Sequence, residues 1–312
     1  MEIVPRLVSG DVRSLARAIS LVEENAPGSL AVLKEAFAHA GGATVVGVTG
    51  APGSGKSTLV DRLVARYRSA GRKVGVVAVD PSSAFSGGSI LGDRVRMQGH
   101  ATDSDVFIRS MATRGHLGGL SRATNDAVDL MDAAGYDPIL VETVGVGQDE
   151  VEVVRTADVV LVVLVPGMGD DIQAIKAGIL EIADLFVVNK ADRPGADRLV
   201  TDLQSMMSLS PPGAKPRPEI VRTIATQEGG IADLAVGIER FLDASAASRR
   251  SARQRERAES RFLAVLTERL LSKVLAGALP EDALPRVAAE IAERRVDPYT
   301  AVERVLARVE VR

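Results

Sequence analysis

Gly50-Ala51-Pro52-Gly53-Ser54-Gly55-Lys56-Ser57-Thr58 follows directly on the apolar run Ala43-Thr-Val-Val-Gly-Val-Thr49. The run reads as a buried strand, and the residues after it fit the spacing G-x-x-x-x-G-K-[ST]. In a loop of this kind backbone N–H groups converge on phosphate oxygens, and the helix that follows adds the positive end of its dipole. The spacing assigns Lys56 to the β and γ phosphates and the Ser57 hydroxyl to Mg²⁺. The bland alternative is a glycine-rich turn that binds nothing. The stretch predicts a nucleoside triphosphate site.

Outward from this loop, apolar strands alternate with helical stretches from Ala43 to about Leu242. The strands expected are Thr44–Gly50, Lys73–Asp80, Val106–Arg109, Asp137–Glu142, Asp158–Pro166, Ala183–Asn189 and Glu219–Ala225. The helices expected between them are Ser57–Ala70, Leu120–Ala134, Asp197–Met207 and Gly230–Leu242. Most strands are continuous apolar runs, the pattern of a sheet covered by helices on both faces. The fold class is therefore α/β, a P-loop NTPase with a mostly parallel central sheet and a ligand crevice at the strand C-terminal ends. Pro211 to Pro218 reads as a stiff, exposed loop.

Residues 1–42 form an N-terminal helical extension ahead of the nucleotide domain at 43–242. Leu15, Ile19 and Val22 lie on one helical face, Pro27-Gly28-Ser29 interrupts it, and Leu30, Leu33 and Phe37 continue the pattern. Beyond Leu242 the strands stop, and residues 243–312 read as an all-helical arm. Phe262, Leu266 and Leu270 recur at i+4 in its long first helix, a second is expected from about Glu281 to Arg294, and Asp297-Pro298 caps a last one. Such an arm serves either dimer contact or intramolecular packing. Its arginines raise membrane or nucleic-acid binding, but interspersed glutamates and the acidic balance of the chain argue against both.

Composition narrows the chemistry. The 312 residues carry 38 basic and 41 acidic side chains, a formal charge of -3, which gives no electrostatic reason to expect nucleic acid. Without cysteine there is no disulfide, thiolate nucleophile or thiolate-bound metal, and three scattered histidines offer no transition-metal cluster. The N-terminal residues lack a signal-peptide pattern, and Val159 to Pro166 is too short to span a bilayer. The expectation is a soluble cytoplasmic protein.

The strand Asp137-Pro-Ile-Leu-Val-Glu142 offers a carboxylate that reads as a group acting on Mg²⁺ or its water shell, against the plainer role of a structural glutamate at a strand end, and Gly145 lets backbone approach the γ-phosphate. Asp80 and Asp93 are further candidates on the magnesium side, against the plainer roles of cap or turn former. Base choice is written in Asn189-Lys190-Ala191-Asp192. Guanine presents N1–H and an exocyclic amine that one carboxylate, Asp192, can accept together. Lys190 would lie along the base and Asn189 would tie it to the phosphate loop, while the segment ending at Ala225 offers backbone N–H to the guanine O6. Charge-assisted bonds of roughly 1.5–3 kcal/mol each favour GTP over ATP. Val146, after Gly145, cannot orient water, and Gln148 stands at a different spacing. Hydrolysis is thus expected to be slow alone and faster when a partner reorders 144–150. The small-residue loops at 81–92, 115–119 and 166–171 are either switches ordered by nucleotide or ordinary connections.

These pieces together resemble one family, the methylmalonyl-CoA mutase-associated GTPases, known under an older label as arginine/ornithine transport ATPases. The resemblance rests on Val48–Thr58, Val79-Asp-Pro-Ser-Ser83, Gly88-Ser-Ile-Leu-Gly-Asp-Arg94, Phe107-Ile-Arg-Ser110, Val141-Glu-Thr-Val-Gly-Val-Gly-Gln148, Asn189–Asp192 and Arg295-Val-Asp-Pro-Tyr299. It implies a GTP/GDP-dependent chaperone of an adenosylcobalamin-dependent acyl-CoA mutase that gates cofactor loading and protects the mutase, and a homodimer formed through the C-terminal helical arm. It further implies that Ser57, Asp80, Asp93 and Glu142 surround Mg²⁺. A third switch loop from Pro166 to Gly178 would carry nucleotide state to the mutase through Asp170, Gln173 and Lys176. More distant nickel metallochaperones resemble it less, because their cysteine and histidine clusters are missing here. The competing reading is a P-loop kinase or transport-coupled ATPase acting on a small substrate.

Overall fold

The computed structural model describes residues 3–80, 98–100, 102–112, 119–143, 157–167, 182–208, 217–245, 249–278 and 283–307. Among these, seven strands make one sheet: β1 (Val45–Thr49), β2 (Val74–Asp80), β3 (Val106–Ala112), β4 (Ile139–Glu142), β5 (Val159–Leu164), β6 (Leu185–Val188) and β7 (Glu219–Arg222). Their order is β3-β2-β4-β1-β5-β6-β7, and every pairing is parallel. β1 sits in the middle, so the loop that follows it opens at the centre of the sheet's C-terminal edge.

The continuous apolar runs have a simple cause. Successive strand side chains point to opposite faces, and both faces are covered. Val46 and Val48 of β1, with Leu161 and Val163 of β5, pack against Leu59 and Leu63 of α4 (Lys56–Ser69) and Leu234 and Ile238 of α7 (Ile231–Ser245). The alternate residues Val160, Val162, Phe186 and Val188 face the other layer, built by α5 (Gly119–Ala133), α6 (Ala196–Ser208) and the N-terminal helices. Every position of β1, β4, β5 and β6 is therefore buried, as a doubly covered parallel sheet requires of its central strands, while Glu219 and Arg222 of the edge strand β7 stay exposed.

The N-terminal segment is part of that second layer. It comprises α1 (Ile3–Val8), α2 (Val12–Glu23) and α3 (Ser29–Phe37). α1 begins ahead of the helix read from sequence, yet buries Ile3, Val4 and Leu7. Asp11 caps α2, accepting from the Arg13 N–H at 3.2 Å and the Ser14 hydroxyl at 2.7 Å. The α3 face differs from the expected one: Ser29 and Ala36 are buried, while Leu30 and Phe37 remain exposed. Small side chains let α3 lie close to its neighbours, which turns the larger ones outward. Asp132 on α5 fastens the exit from α3 by accepting the backbone N–H groups of Gly41, Gly42 and Ala43. Arg109 on β3 pairs with Glu23 and donates to Ser20 Oγ.

Strand β7 stops at Arg222, short of the expected Ala225. The chain instead closes a tight loop in which the Ile224 N–H donates to the Gly229 carbonyl at 2.8 Å. At Gly230, φ is +73° and a Cβ would lie 2.0 Å from the Arg222 carbonyl oxygen, so only glycine lets the chain turn there into α7. The C-terminal residues are helical: α8 (Arg249–Ala278), α9 (Ala283–Ala292) and α10 (Pro298–Leu306), with Pro298 in the first turn and Asp297 as its cap. The chain forms two compact units, residues 1–257 and 258–312. Among the described residues no helix is long and apolar enough to cross a membrane.

Candidate nucleotide site

The C-terminal ends of β4, β1, β5 and β6 are consecutive in the sheet, so the residues leaving β1, β4 and β6 gather along one edge. This is where ligands bind in open parallel sheets. The loop after β1 is pressed against its neighbours with no room for side chains at two points. A Cβ on Gly50, at φ +141°, would lie 2.2 Å from the Val163 carbonyl oxygen. One on Gly55, at φ +93°, would lie 2.5 Å from Asn189 Nδ2. Pro52 and Gly53 are exposed at the mouth, Ala51 is half-buried, and Thr58 is exposed in the first turn of α4.

Lys56 opens α4 and is buried. Its ammonium donates to the carbonyls of Gly50 at 2.7 Å and Ala51 at 3.1 Å, which curls the loop around the charge. The next residue, Ser57, donates its hydroxyl to Glu142 Oε1 at 2.6 Å. Glu142 ends β4, in register with Val48 of β1, and is itself buried. The following residue locks this strand exit: the Thr143 N–H donates to the Val48 carbonyl at 3.0 Å and its hydroxyl to Thr49 Oγ1 at 3.1 Å. A hydroxyl and a carboxylate offer hard oxygen donors of the kind Mg²⁺ takes. Among the described residues no group of three or more His, Cys, Asp or Glu could hold a metal. A two-oxygen protein contribution suits an ion that keeps waters and substrate phosphates as its other ligands.

A second cluster lies across the loop. Asn189, buried at the end of β6, donates from Nδ2 to the Ser54 carbonyl at 2.9 Å. Its Oδ1 accepts from the Thr223 hydroxyl at 3.1 Å and the Ala225 N–H at 3.2 Å. These partners fix which end of the amide is which. Lys190 adopts a left-handed backbone, φ +54°, and its ammonium reaches the Gly53 carbonyl at 2.7 Å. Asp192 is exposed in the turn beyond, and the Ala191 N–H is held by the Thr223 carbonyl at 3.1 Å. The phosphate loop and the Asn-Lys-Ala-Asp run are therefore bonded to each other at two points.

Three features went unseen in the sequence. Thr223 acts through its side chain, donating its hydroxyl to Asn189 Oδ1, whereas the sequence points only to backbone N–H groups in that segment. The Ala225 N–H, expected to face a base, is engaged by Asn189 Oδ1. The third is the Thr49–Thr143 hydroxyl pair, whose only sequence signal is a threonine at the end of each of two apolar runs. Ser54 is a different case: fully buried, its hydroxyl finds no hydrogen-bond partner. Asp80 is placed as the last residue of β2, opposite Ala112 of β3. Asp93, Gly145, Gln148, Asp170, Gln173 and Lys176 lie outside the described residues.

Comparison with known proteins agrees with this geometry. The family model described as "Methylmalonyl Co-A mutase-associated GTPase MeaB" matches residues 15–278. The chain is 45% identical to the "Putative GTPase" of Pyrococcus abyssi, over 98% of this chain and 95% of that protein. It is 42% identical to the mouse "Methylmalonic aciduria type A homolog, mitochondrial", over 61% of this chain and 46% of that protein. Among solved structures it is similar to the crystal structure of an LAO/AO transport system kinase, with a TM-score of 0.72 and 27% identity over 98% of this chain and 96% of the other. With most of its length matched by one family model, a parallel sheet ending in a phosphate loop, and the Asn-Lys-x-Asp run bonded to that loop, this chain belongs to the methylmalonyl-CoA mutase-associated GTPase family.

Proposed function

We propose that this chain binds GTP with Mg²⁺ and uses its hydrolysis as the switch of a chaperone for an adenosylcobalamin-dependent acyl-CoA mutase, with methylmalonyl-CoA mutase the client that the family description points to. In this reading residues 43–242 bind nucleotide, 1–42 brace that domain, and 243–312 are an arm through which two copies associate. The observation that carries the nucleotide part is the pair of bonds from Asn189 and Lys190 to the Ser54 and Gly53 carbonyls. A base-reading segment tied to the phosphate loop senses both ends of one nucleotide.

Each residue has a physical task. The loop from Gly50 to Thr58 presents N–H groups to the phosphates, and Lys56 leaves its carbonyl partners for the β and γ phosphate oxygens. Ser57 and Glu142, with Asp80 and Asp93, are the groups that would hold Mg²⁺. When bound, that ion neutralises charge on the phosphate oxygens. Asp192 accepts the two guanine donors, Lys190 lies along the ring, and Asn189 holds both to the loop, with the Ala225 N–H shared toward the guanine O6. In hydrolysis a water oxygen bonds to the γ-phosphorus while its bond to the β–γ bridging oxygen breaks, giving GDP and phosphate. Gly145 reports the γ-phosphate, and Gln148, three positions further along the chain, is the candidate to orient the water. Turnover is slow until the client reorders residues 144–150, and Asp170, Gln173 and Lys176 carry the state of the site to it.

Nucleotide competition tests the base reading. GTP and GDP should displace a fluorescent guanine nucleotide well over tenfold more effectively than ATP, and Asp192→Ala should remove that margin without improving ATP; equal binding of ATP and GTP by the native chain would return the kinase or transport-ATPase reading. For the client, mixing with an adenosylcobalamin-dependent mutase should raise GTP hydrolysis and alter cofactor loading. No change in either would leave a GTPase with a different client. Fast single-turnover hydrolysis by the chain alone would contradict partner control.

A further inference from the structure

Strand β1 reads Val-Val-Gly-Val-Thr and strand β4 Ile-Leu-Val-Glu, with Thr143 directly after it. The hydroxyls of Thr49 and Thr143 lie 3.1 Å apart, and both residues are almost sealed, 1% and 2% exposed. Valine has the shape of threonine and would fill these places without taking two hydroxyls out of water. The pair has two hydrogens to place and makes one good bond. Its second contact, from Thr143 Oγ1 to the Val48 carbonyl, is long at 3.5 Å. Packing alone does not account for two threonines here.

What the pair does follows from what lies beside it. The register of β1 and β4 runs from Val45 and Ile139 to Val48 and Glu142, so Glu142 is the last residue of β4 that the ladder aligns. One residue on, the Thr143 N–H donates to the Val48 carbonyl at 3.0 Å, and the hydroxyl bond to Thr49 pins Thr143 a second time through its side chain. Alternation along the strands puts Thr49 and Thr143 on the face of Val45 and Val141, toward α5 and the N-terminal helices. Glu142 points to the opposite face, where the Ser57 hydroxyl of α4 meets its carboxylate at 2.6 Å. The backbone of Glu142 is thus clamped on both sides, from behind the sheet, at the point where the chain leaves β4 for residues 144–150. We propose that Thr49 and Thr143 are positioning residues of the magnesium site, their hydroxyl bond holding Glu142 at Ser57 while residues 144–150 rearrange with nucleotide state. This rests on the magnesium role proposed above for Ser57 and Glu142. Ligands held in place by the groups behind them need not be ordered when the ion arrives, which raises its affinity.

The test measures binding of a fluorescent, non-hydrolysable GTP analogue to the full chain in excess Mg²⁺ and in EDTA. The ratio of the two affinities reads what the ion adds. Thr49→Val and Thr143→Val should each lower that ratio by about three- to tenfold, the usual worth of one neutral hydrogen bond, and leave binding in EDTA within about twofold of native. The double variant should lose no more than either single one, because all three lack the same bond. Thr143→Ser keeps the hydroxyl and should restore most of the ratio. Urea unfolding separates positioning from a merely structural role. Each single valine strands the other hydroxyl in the interior and should lower the midpoint, whereas the double variant, apolar at both places, should match or exceed native stability. A structural pair therefore predicts a native magnesium response in the double variant, and a positioning pair predicts a lost one. A native ratio in the double variant overturns the inference, as does an equal loss of affinity in Mg²⁺ and in EDTA. A native chain that binds the analogue equally well in both removes the magnesium role of Ser57 and Glu142 itself.

Discussion

Single residues in the phosphate loop answer to different forces. The Lys56 ammonium is buried among carbonyls, so its charge has been taken from water and is ready for a stronger anionic partner. Lys56→Ala should reduce GTP affinity by roughly a hundredfold or more, given the usual strength of charge-assisted bonds to phosphate, as measured by fluorescent-nucleotide titration. At Gly55 the obstacle is steric. Gly55→Ala would add a methyl 2.5 Å from Asn189 Nδ2 at a φ that L side chains rarely adopt. It should destabilise the fold by about 1–3 kcal/mol and release Asn189 from the Ser54 carbonyl, so denaturant unfolding and GTP binding should fall together. Ser54 runs the other way. Its buried hydroxyl lacks a partner, and Ser54→Ala should leave stability unchanged or raise it by about 1 kcal/mol, read as a shift in the denaturation midpoint.

Among the elements, those whose ends carry a local chemical signal were legible in the chain, and those set by distant neighbours were not. The Asp297-Pro298 start of α10 and the strands on either side of the phosphate loop follow from their own residues. The end of β7 does not, because Ile224 is drawn out of the sheet by its bonds to Gly229, a partner that no periodicity announces. The outward turn of Leu30 and Phe37 on α3 was equally hidden, since it depends on how closely Ser29 and Ala36 approach other helices. In the site, Lys56, Ser57 and Glu142 could be named from spacing, whereas the Thr223 hydroxyl bond could not, as it joins residues 34 positions apart. The α10 cap carries a pH dependence. The Thr300 hydroxyl, with backbone N–H groups of Thr300 and Tyr299, holds the Asp297 carboxyl below its ordinary value of 3.8. Its folded-state pKa is depressed, so its stabilisation is present above the ordinary carboxylate range and is lost as pH falls through the lower folded value. A carboxyl-carbon NMR titration should therefore place Asp297 on the acid side of ordinary aspartates, with α10 fraying only in strong acid. Asp297→Asn, which can still accept from the same N–H groups, should remove this acid dependence.

For the whole molecule, the groups proposed to bind nucleotide fall within residues 1–257, with their two apolar layers, while the exposed apolar residues Phe262, Leu266 and Leu270 of α8 fall within 258–312. A chain ending at residue 257 should bind GTP within about threefold of native affinity and sediment as a monomer; loss of binding on truncation would show that the second unit supports the site. The sheet order has one further consequence. The central strand β1 finds its neighbours only in β4 and β5, for Val45 lines up with Ile139 and Val46 with Val159. Roughly ninety residues must leave the ribosome after β1 before β4 can dock on one side of it, a wait of about 5–20 s at ordinary rates of synthesis, and β5, on the other side, comes later still. Throughout that interval the hydrophobic segment destined for the middle of the protein lacks both strand neighbours, so its backbone edges stay open in the nascent polypeptide and offer a surface to the cell's own folding helpers.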